Sequence, residues 1–297
     1  MIAPDQDLSL MAQALEQSGE YRVLRRLSFR QHFSTPTEPT KVGILLDVET
    51  TGLDTTSDEV VELGMVKFSY HRDGTVASVL DRFSSLNEPS KSIPEDAIKL
   101  HGITDEMVAG QRIDVEAVNT FVSDAAVVIA HNAAFDRKFA ERYWPAFAEK
   151  PWACSVNQIE WRSHGFEGSR LGYLLNGIGL FHRSHRAVDD CHALLEILAH
   201  PLSGTERSAL SLLLENARRK TIRVWAEHAP FDLKDELKKR GYRWSPGDEG
   251  RRKAWYVDVD EANRDGEIDY LRQSIYLAEV ELFEQTLTAF DRFSVRI

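Results

Sequence analysis

Two carboxylates stand one residue apart where an apolar run of the sequence ends. The run reads ILLDVETTGLD over residues 44–54, and it contains Asp47 and Glu49. Alternate side chains of a strand point to the same face, so we expect both carboxylates to project together. Adjacent carboxylates repel each other unless a cation joins them, and their oxygen atoms suit Mg²⁺ or Mn²⁺. The alternative is a pair of solvated acids at the end of a strand.

A third acid lies in the stretch VVIAHNAAFD, in which a second apolar run ends at His131 and Asn132. A helix is expected to begin beyond this run and to carry Asp136 in its first turns. Taken alone, Asp136 is explained as an acid that stabilises the N-terminus of a helix through the helix dipole.

A histidine and two acids lie close together in the stretch SHRAVDDCHALLEIL. We expect Ser184 to cap a helix, which would place His185 at its entrance and Asp189 and Asp190 in its first two turns. The alternative is a surface histidine beside two acids that serve the helix dipole. A zinc site is a weaker alternative, because no common zinc spacing is matched by its candidate ligands, His182, His185, Cys191 and His192.

The surrounding sequence predicts the elements that would hold these residues. Apolar and alternating patterns predict three consecutive strands over 41–49, 58–70 and 75–86, with a hairpin turn at HRDG. Helices are expected around PEDAIKLHG, TDEMVAG and DVEAVNTFVSD, followed by a strand in AAVVIAHN and helices in AAFDRKFAERYW, SRLGYLLNGIGL and HRAVDDCHALLEILAH. Three strands followed by alternating helices and strands predict an α/β fold, with a mixed sheet flanked by helices on both sides.

Changes in composition divide the chain into three predicted parts. Residues 1–40 are predicted to form a helical extension, with two helices within 8–33 and the linker STPTEPT. Residues 41–204 hold the candidate site, and the stretch PLSGTERSAL marks the end of this part. Residues 205–297 are predicted to form a small α+β module, which closes with a long amphipathic helix over about 261–290.

Composition bears on the location and the partners of the chain. The formal net charge is −11, which disfavours binding to nucleic acid through overall charge, although cations held by the carboxylates would offset this locally. The sequence has no run of about 18 apolar residues, and MIAPDQDLSL lacks the features of a secretion signal. The two cysteines, Cys154 and Cys191, form no C-x-x-C pair. We therefore expect a cytoplasmic protein with no membrane partner.

Four motifs follow one another along the chain: DVETTG, HGIT, HNAAFD and HRAVDD. Their order and spacing resemble the DEDDh 3′–5′ exonucleases, a DnaQ-like family that includes the proofreading subunit of the bacterial replicative polymerase. The resemblance covers about residues 41–198. It implies a ribonuclease-H-like fold and an enzyme that removes nucleotides from 3′ ends.

The resemblance implies the roles of five candidate catalytic residues. The positions of the family's four metal-binding acids are occupied by Asp47, Glu49, Asp136 and Asp190. The general-base histidine of the family corresponds to His185, and the family spacing from that histidine selects Asp190 rather than Asp189. No catalytic position is missing, so an inactive relative of the family is not expected.

Three further residues match positions of the family near the substrate: Thr50, His101 and Asn132. Of these, His101 is a candidate phosphate contact. The implied chemistry is hydrolysis with two Mg²⁺ or Mn²⁺ ions, which stabilise the attacking and leaving oxygens together. The expected substrate is nucleic acid with a free 3′ end, above all single-stranded DNA, degraded to nucleoside 5′-monophosphates. Two alternatives stay open: an exoribonuclease acting on short RNA, and a nucleic-acid-binding adaptor whose nuclease domain is incidental.

A basic and aromatic segment lies in the C-terminal part. Residues 218–253 contain twelve lysines and arginines against six acids, a net charge of +6. Cations and aromatic rings together suit single-stranded nucleic acid, and the aromatic residues are Trp225, Tyr242, Trp244, Trp255 and Tyr256. The alternative is a small core built from these rings beside a solvated basic helix face.

Overall fold

Strands and helices are defined for the residues that the computed structural model describes, 6–35, 39–182, 184–247 and 252–297. The strands are β1 (Arg25–Arg26), β2 (Lys41–Thr50), β3 (Val60–Tyr70), β4 (Val76–Leu86), β5 (Val127–Ala130), β6 (Trp152–Cys154), β7 (Leu180–Phe181), β8 (Thr221–Ala226), β9 (Arg243–Pro246), β10 (Lys253–Asp260) and β11 (Phe283–Leu287). The α-helices are α1 (Gln6–Gln17), α2 (Glu95–His101), α3 (Asp105–Val108), α4 (Val115–Val122), α5 (Ala133–Tyr143), α6 (Leu171–Gly177), α7 (Ala187–Ala199), α8 (Ala209–Arg218), α9 (Lys234–Lys239) and α10 (Arg264–Tyr270). None of the helices in these ranges has the length and apolar character needed to cross a bilayer.

The centre of the fold is a five-stranded mixed sheet in the order β4-β3-β2-β5-β6. Strands β2, β3 and β4 pair antiparallel, whereas β5 and β6 are added in parallel. The hairpin turn predicted at HRDG is confirmed, since the His71 N–H donates to the Thr75 carbonyl at 2.8 Å. Helices pack on both faces of this sheet, which confirms the predicted fold class.

Strand β2 is covered on both faces, which explains its nearly continuous apolar sequence. Ile44 and Leu46 belong to a core cluster shared with helices α4 and α5. Leu45 points the other way, into the cluster that contains residues of α6, α7 and α8. Asp47 and Glu49 follow Leu45 by two and four residues, so the alternation of the strand turns them toward α7.

The N-terminal extension differs from the two helices predicted for it. Helix α1 is present, but the second helix predicted within residues 8–33 is wrong. The chain is extended there, and β1 pairs in parallel with β7. Hydrogen bonds to distant strands outweigh the local helical pattern, and Phe29 stacks on His192 of α7 with ring centroids 4.1 Å apart. Of the predicted linker STPTEPT, residues 36–38 lie outside the described part of the chain.

The C-terminal part contains a four-stranded antiparallel sheet in the order β11-β8-β10-β9. The strands predicted at β8 and β10 and the helix predicted at α9 are present. The long helix predicted over 261–290 is wrong beyond Tyr276, because only residues 261–276 are helical. A π-helix ends at Tyr276, Leu277 takes a left-handed conformation with a φ of 52°, and the chain returns as β11. Residues 283–287 form a strand because they pair with β8. The local sequence pattern cannot predict a partner so distant in the chain.

Helix α8 follows the predicted boundary at residue 204, yet it packs with the central sheet. Leu210 and Leu213 belong to the same core cluster as Leu45 of β2 and Leu194 of α7. The domain boundaries stay a prediction, but the core under the central sheet includes residues beyond that boundary.

The segment 288–296, which we call the C-terminal segment, is bound to helix α5 through Arg137. This arginine is fully buried. Its guanidinium donates to the carbonyls of Phe290 and Arg292 at 2.7 and 2.6 Å, and to the Glu141 carboxylate at 2.7 Å. A buried guanidinium needs several acceptors, so the C-terminal segment is part of the environment that stabilises α5.

The same segment covers an edge of the central sheet. Strand β6 lies at that edge, and its Trp152 N–H donates to the Ala289 carbonyl at 2.7 Å. Covering an edge strand removes an unpaired backbone donor that would otherwise be available to another chain.

Replacing Arg137 with methionine is expected to destabilise the protein by about 3–5 kcal/mol, because its carboxylate and carbonyl partners would stay buried without a donor. The measurement is urea-induced unfolding. The matched control is Lys138→Met, which removes a cation from a half-buried neighbour that forms no ion pair among the described residues. Equal stability of the two variants would show that the C-terminal segment does not stabilise α5.

Candidate active site

The carboxylates of Asp47, Glu49 and Asp190 form a compact group, in which one oxygen atom of each lies within 4.8 Å of the others. Strand β2 presents the first two acids from one face, and helix α7 presents Asp190 near its N-terminus. A glycine of β3 allows α7 to lie close to the sheet. A Cβ atom on Gly64 of β3 would lie 2.3 Å from the Val188 nitrogen, so any larger residue would push α7 away from the sheet.

Asp136 lies beside this group, on helix α5. It is 3% exposed, and its Oδ1 accepts the Val48 N–H at 3.3 Å. The chain turns from β5 into α5 at Asn132, an exposed residue with a φ of 104°, and Asp136 follows in the first turns of the helix. Asp136 is not one of the three acids within 4.8 Å. Its charge is nevertheless, after burial, the largest cause of the raised pKa of Asp47.

Burial raises the pKa values of Asp47, Glu49 and Asp136, and repulsion from neighbouring acids adds to the rise at Asp47 and Glu49. Burial and then the charge of Asp190 raise the pKa of Glu49 to about 8, and burial raises the pKa of Asp136 to about 8. Without a cation these acids therefore retain protons near neutral pH, unlike solvated carboxylates. A solvated pair of acids at a strand end does not fit the geometry, because Glu49 is only 8% exposed.

The chemistry of this donor set fits a hard divalent cation. Its candidate ligands are all carboxylate oxygens, the kind that Mg²⁺ and Mn²⁺ prefer. A bound cation would also offset the repulsion that raises the pKa values of the acids. The zinc alternative does not fit, because the four candidate ligands do not converge: His192 stacks on Phe29, and Cys191 donates to the Gly64 carbonyl at 3.5 Å.

A fifth carboxylate and one arginine join this cluster, and sequence reasoning missed both. Glu62 of β3 is fully buried and lies opposite Glu49 in the register of the sheet. Arg186 Nη2 donates to Glu62 at 3.0 Å, and the Ala187 N–H donates to it at 3.2 Å. The Arg186–Glu62 ion pair places a positive charge beside the acids, and it bonds the start of α7 to β3. The signal in the sequence is an acid inside the apolar stretch VVELGMV, where a buried charge requires a partner.

His182 orients Asp190, a role that sequence reasoning did not assign to it. Its Nε2 lies 2.8 Å from Asp190 Oδ1, and both side chains are almost fully buried. The second oxygen of Asp190 accepts the Arg186 N–H at 3.0 Å. The carboxylate is therefore held from two sides, as is usual for a metal ligand whose outer partners fix its orientation.

His185 is exposed in the loop that precedes α7. Its backbone is left-handed, with a φ of 67°, which is uncommon for a residue other than glycine. The predicted helix cap is wrong, because the N-cap residue of α7 is Arg186 rather than Ser184, and it makes no side-chain cap. The Asp190 carboxylate supplies the acceptor at this helix end instead. Arg183 lies outside the described residues.

Two predicted substrate-binding residues lie next to the acids. His101 is 5% exposed, and its Nδ1 accepts the Ile103 N–H at 3.0 Å, which makes Nε2 the N–H donor. This Nε2 has no hydrogen-bond partner among the described residues, and burial lowers the pKa of the ring. Thr50 ends β2 at an irregularity after Glu49, and its hydroxyl donates to the Gly52 carbonyl at 2.6 Å.

Comparisons with known proteins identify the family. The RNase_T family model, described as Exonuclease, matches residues 44–198. The DNA polymerase III subunit epsilon of Treponema pallidum is 34% identical over 160 residues, which are 51% of this chain and 72% of that protein. The chain therefore belongs to this exonuclease family. The resemblance carried by its four motifs and the predicted enzyme class are both confirmed.

Two further comparisons cover more of the chain. The DNA polymerase III PolC-type of Thermotoga petrophila is 29% identical over 222 residues, which are 70% of this chain but only 15% of that protein. Exonuclease I of E. coli, in the zinc-bound form of its complex with single-stranded DNA, is 14% identical. The match covers 75% of this chain and 63% of that chain with a TM-score of 0.51, and it confirms the fold.

The metal-free protein is expected to lose stability as the pH rises from about 6.5 to about 8, a range in which the histidines whose pKa burial lowers are largely neutral in both the folded and the unfolded chain. The pKa of Glu49 is about 8 in the folded chain and about 4.3 when unfolded. The raised folded value favours the folded state most below the unfolded pKa, and this contribution is lost as pH approaches the folded pKa. The melting temperature in EDTA should therefore fall over this range. Excess Mg²⁺ should abolish the fall, since it binds the deprotonated acids.

Two variants control this measurement. Glu49→Gln should make the fall in EDTA less steep, because a neutral amide replaces one of the titrating acids. The matched variant Glu95→Gln should leave the profile unchanged, since the Glu95 side chain is 91% exposed. Identical wild-type profiles in EDTA and in Mg²⁺ would contradict this account of the cluster.

His182→Phe is expected to weaken Mn²⁺ binding by about 10–100-fold, because Asp190 would lose the partner that fixes its orientation. Isothermal titration with Mn²⁺ measures the effect without any need for catalysis. His182→Gln retains a side-chain donor and should lose less affinity. His164→Phe, on a half-buried histidine outside the cluster, is the matched control. Unchanged affinity in His182→Phe would remove His182 from the metal site.

Proposed function

We propose that the protein is a 3′–5′ exonuclease that hydrolyses single-stranded DNA from a free 3′ end and releases nucleoside 5′-monophosphates, using two Mg²⁺ or Mn²⁺ ions. One observation carries the proposal: the grouped carboxylates of Asp47, Glu49 and Asp190, with oxygen atoms within 4.8 Å of one another. Repulsion makes such a group costly unless cations offset its charge. Membership of an exonuclease family supplies the class of reaction.

The acids would bind the cations and determine their positions. Asp47, Glu49 and Asp190 would hold one cation, and Asp136 would join Asp47 in holding the second. When bound, divalent cations stabilise the negative charge that develops on the phosphoryl and leaving oxygens. Glu62 already accepts from Arg186 at 3.0 Å. It would therefore orient the start of α7 rather than act as a ligand.

His185 would accept the proton of the attacking water. Its exposed position in the loop before α7 leaves it accessible to water and substrate. Imidazole accepts a proton near neutral pH and is the commonest general base in enzymes. The loop is anchored at both ends, by the pairing of β1 with β7 before it and by the Arg186–Glu62 ion pair after it.

The terminal nucleotide would lie against residues that surround the acids. The Nε2–H of His101 is a buried donor without a partner in the described structure, and a phosphate oxygen would satisfy it. Thr50 ends β2, and Asn132 lies at the N-terminus of α5, where free backbone N–H groups favour an anion. DNA is the favoured substrate because the relative from Treponema pallidum is a DNA polymerase III subunit and the E. coli structure contains single-stranded DNA.

Asp190→Asn is expected to lower the rate of 3′-end hydrolysis by about 10³-fold or more, since a metal ion contributes several kcal/mol to the transition state. His185→Gln is expected to lower it by about 10²–10⁴-fold, the usual contribution of a general base. The measurement is single-turnover hydrolysis of 5′-labelled single strands of DNA and of RNA, with Mg²⁺ and with EDTA.

Asp189→Asn is the matched control, because it removes an adjacent acid that lies outside the close carboxylate group. Its activity should stay close to that of the wild type. Faster hydrolysis of the RNA strand than of the DNA strand would favour the exoribonuclease alternative. Equal losses in Asp189→Asn and Asp190→Asn, or wild-type hydrolysis in EDTA, would contradict the proposed mechanism.

A further inference from the structure

The four-stranded C-terminal sheet has two different faces. On one face Ile222 and Val224 of β8 and Val257 of β10 form an apolar cluster with Leu237 of α9 and Leu271 of the π-helix. The helices of this part of the chain therefore cover that face. The cluster confirms that a small core exists here, and the buried Tyr242 belongs to it.

The opposite face has a different composition. In the register of the sheet, Arg223 lies opposite Asp258, Trp225 lies opposite Tyr256, and Tyr256 lies opposite Arg243 of β9. Trp225 also pairs with Phe283 of β11. We call this surface, defined by Arg223, Trp225, Arg243, Tyr256, Asp258 and Phe283, the open sheet face.

A cleft of about 620 Å³ lies between the open sheet face and the exonuclease domain. From the sheet it is lined by Arg223, Arg243 and Tyr256, and from helix α5 by Ala134 and Lys138. Helix α5 also carries Asp136, so one helix borders both the cleft and the acid cluster. The cleft therefore adjoins the helix that positions Asp136, one of the proposed metal ligands.

The charges lining the cleft favour an anion. Its cations outnumber its acids, with Lys138, Arg219, Arg223, Arg243 and Arg292 against Glu160, Asp258 and Asp260. Arg223 and Arg243 share a single carboxylate, Asp258, at 2.7 and 2.8 Å, so two guanidinium groups meet one negative charge. A net positive cleft in a chain of net charge −11 indicates a place for a polyanion.

Tyr256 and Phe283 are the partly exposed rings of the open sheet face, whereas Trp225 is buried beside Tyr256. The Tyr256 ring lies 5.0 Å from the Trp225 ring, and the guanidinium groups of Arg223 and Arg243 lie 4.3 and 5.0 Å from its centre. Trp225 Nε1 and Ser245 Oγ are buried on this face without a hydrogen-bond partner in the described residues. Buried polar atoms are normally paired, and these two are exceptions among the described residues.

At the end of the basic helix α9 three consecutive cations each have an acid of their own, whereas Arg223 and Arg243 of the cleft share one. Lys238 and Lys239 pair with acids three residues before them, at 3.8 and 2.8 Å. Arg240 pairs with Glu267 at 3.0 Å. These residues lie on the side of the sheet that the helices cover. The positive charge of the segment is therefore divided, and residues 248–251 of it lie outside the described structure.

We propose that the open sheet face and its cleft bind single-stranded nucleic acid, namely the part of the strand that lies 5′ of the nucleotide being removed. The inference rests on the proposed exonuclease function. Arg219, Arg243 and Lys138 contact phosphates, and Tyr256 provides a ring on which a base stacks. Stacking accepts any base, so the surface holds a strand without selecting its sequence.

The test compares two double variants that each remove two positive charges. Arg219→Gln/Arg243→Gln alters the cleft, and both acids involved keep a partner, since Asp258 retains Arg223 and Glu215 retains Arg207. Lys238→Gln/Lys239→Gln alters α9 and is the matched control. Binding of a fluorescent 20-nucleotide dT strand is measured by anisotropy over a salt series, in a background carrying Asp47→Asn to prevent hydrolysis.

The cleft variant should bind the strand about tenfold more weakly, and its slope of log affinity against log salt should fall by about 1.4, the value for two lost phosphate contacts. The control variant should bind like its parent. With Asp47 restored, the cleft variant should lose more activity on the 20-nucleotide strand than on a dinucleotide, which has only one nucleotide on the 5′ side of the bond that is cut.

Binding by the cleft variant that equals the control across the salt series would overturn the proposal, whatever the outcome for catalysis. Equal losses in both variants would overturn it too, because overall charge would then explain the effect. Failure of the proposed function is distinct: the wild-type protein would hydrolyse neither strand nor dinucleotide with Mg²⁺, while the binding measurement would still decide the role of the cleft.

Discussion

Repulsion among five carboxylates in one buried region is the constraint on which the rest of the structure depends. The charges of Asp136, Asp190, Glu49 and Glu62 all act on Asp47 and raise its pKa, after burial itself. Arg186 neutralises one member, Glu62, and protons or divalent cations must offset the others. The energetic cost of assembling the acids is thus the source of their affinity for cations. It also explains how an acidic chain can accept a polyanion at this place.

The fold opposes this repulsion by fixing each acid from a different element. Strand β2 packs between two core clusters and positions Asp47 and Glu49. Gly64 allows α7 to approach the sheet closely enough to present Asp190. Helix α5 is stabilised in turn by the C-terminal segment, whose carbonyls accept from the fully buried Arg137. Residues near the end of the chain therefore contribute to the scaffold of the site, and the exonuclease domain and the C-terminal part are best regarded as one assembly.

Most of the candidate site could be predicted from the sequence because its signals are local. Strand alternation predicts that Asp47 and Glu49 share a face, and family spacing selects Asp190 over Asp189. Glu62 was missed because its partner, Arg186, lies 124 residues away in sequence. Strands β1, β6, β7, β9 and β11 were missed for a related reason: they are short or lie at sheet edges, and their partners are distant. The helices predicted within 8–33 and over 261–290 are wrong where the chain instead forms β1 and β11. There, hydrogen bonds to β7 and β8 outweigh the helical sequence pattern.

Anomalous diffraction from crystals of the full chain soaked in Mn²⁺ tests the central claim most directly, since it locates cations without reference to activity. The account predicts two peaks roughly 3.5–4 Å apart. One should be coordinated by Asp47, Glu49 and Asp190, and the other should lie between Asp47 and Asp136, with Glu62 still bound to Arg186. The absence of peaks at these carboxylates, or a cation coordinated by Glu62 in place of Asp190, would contradict it.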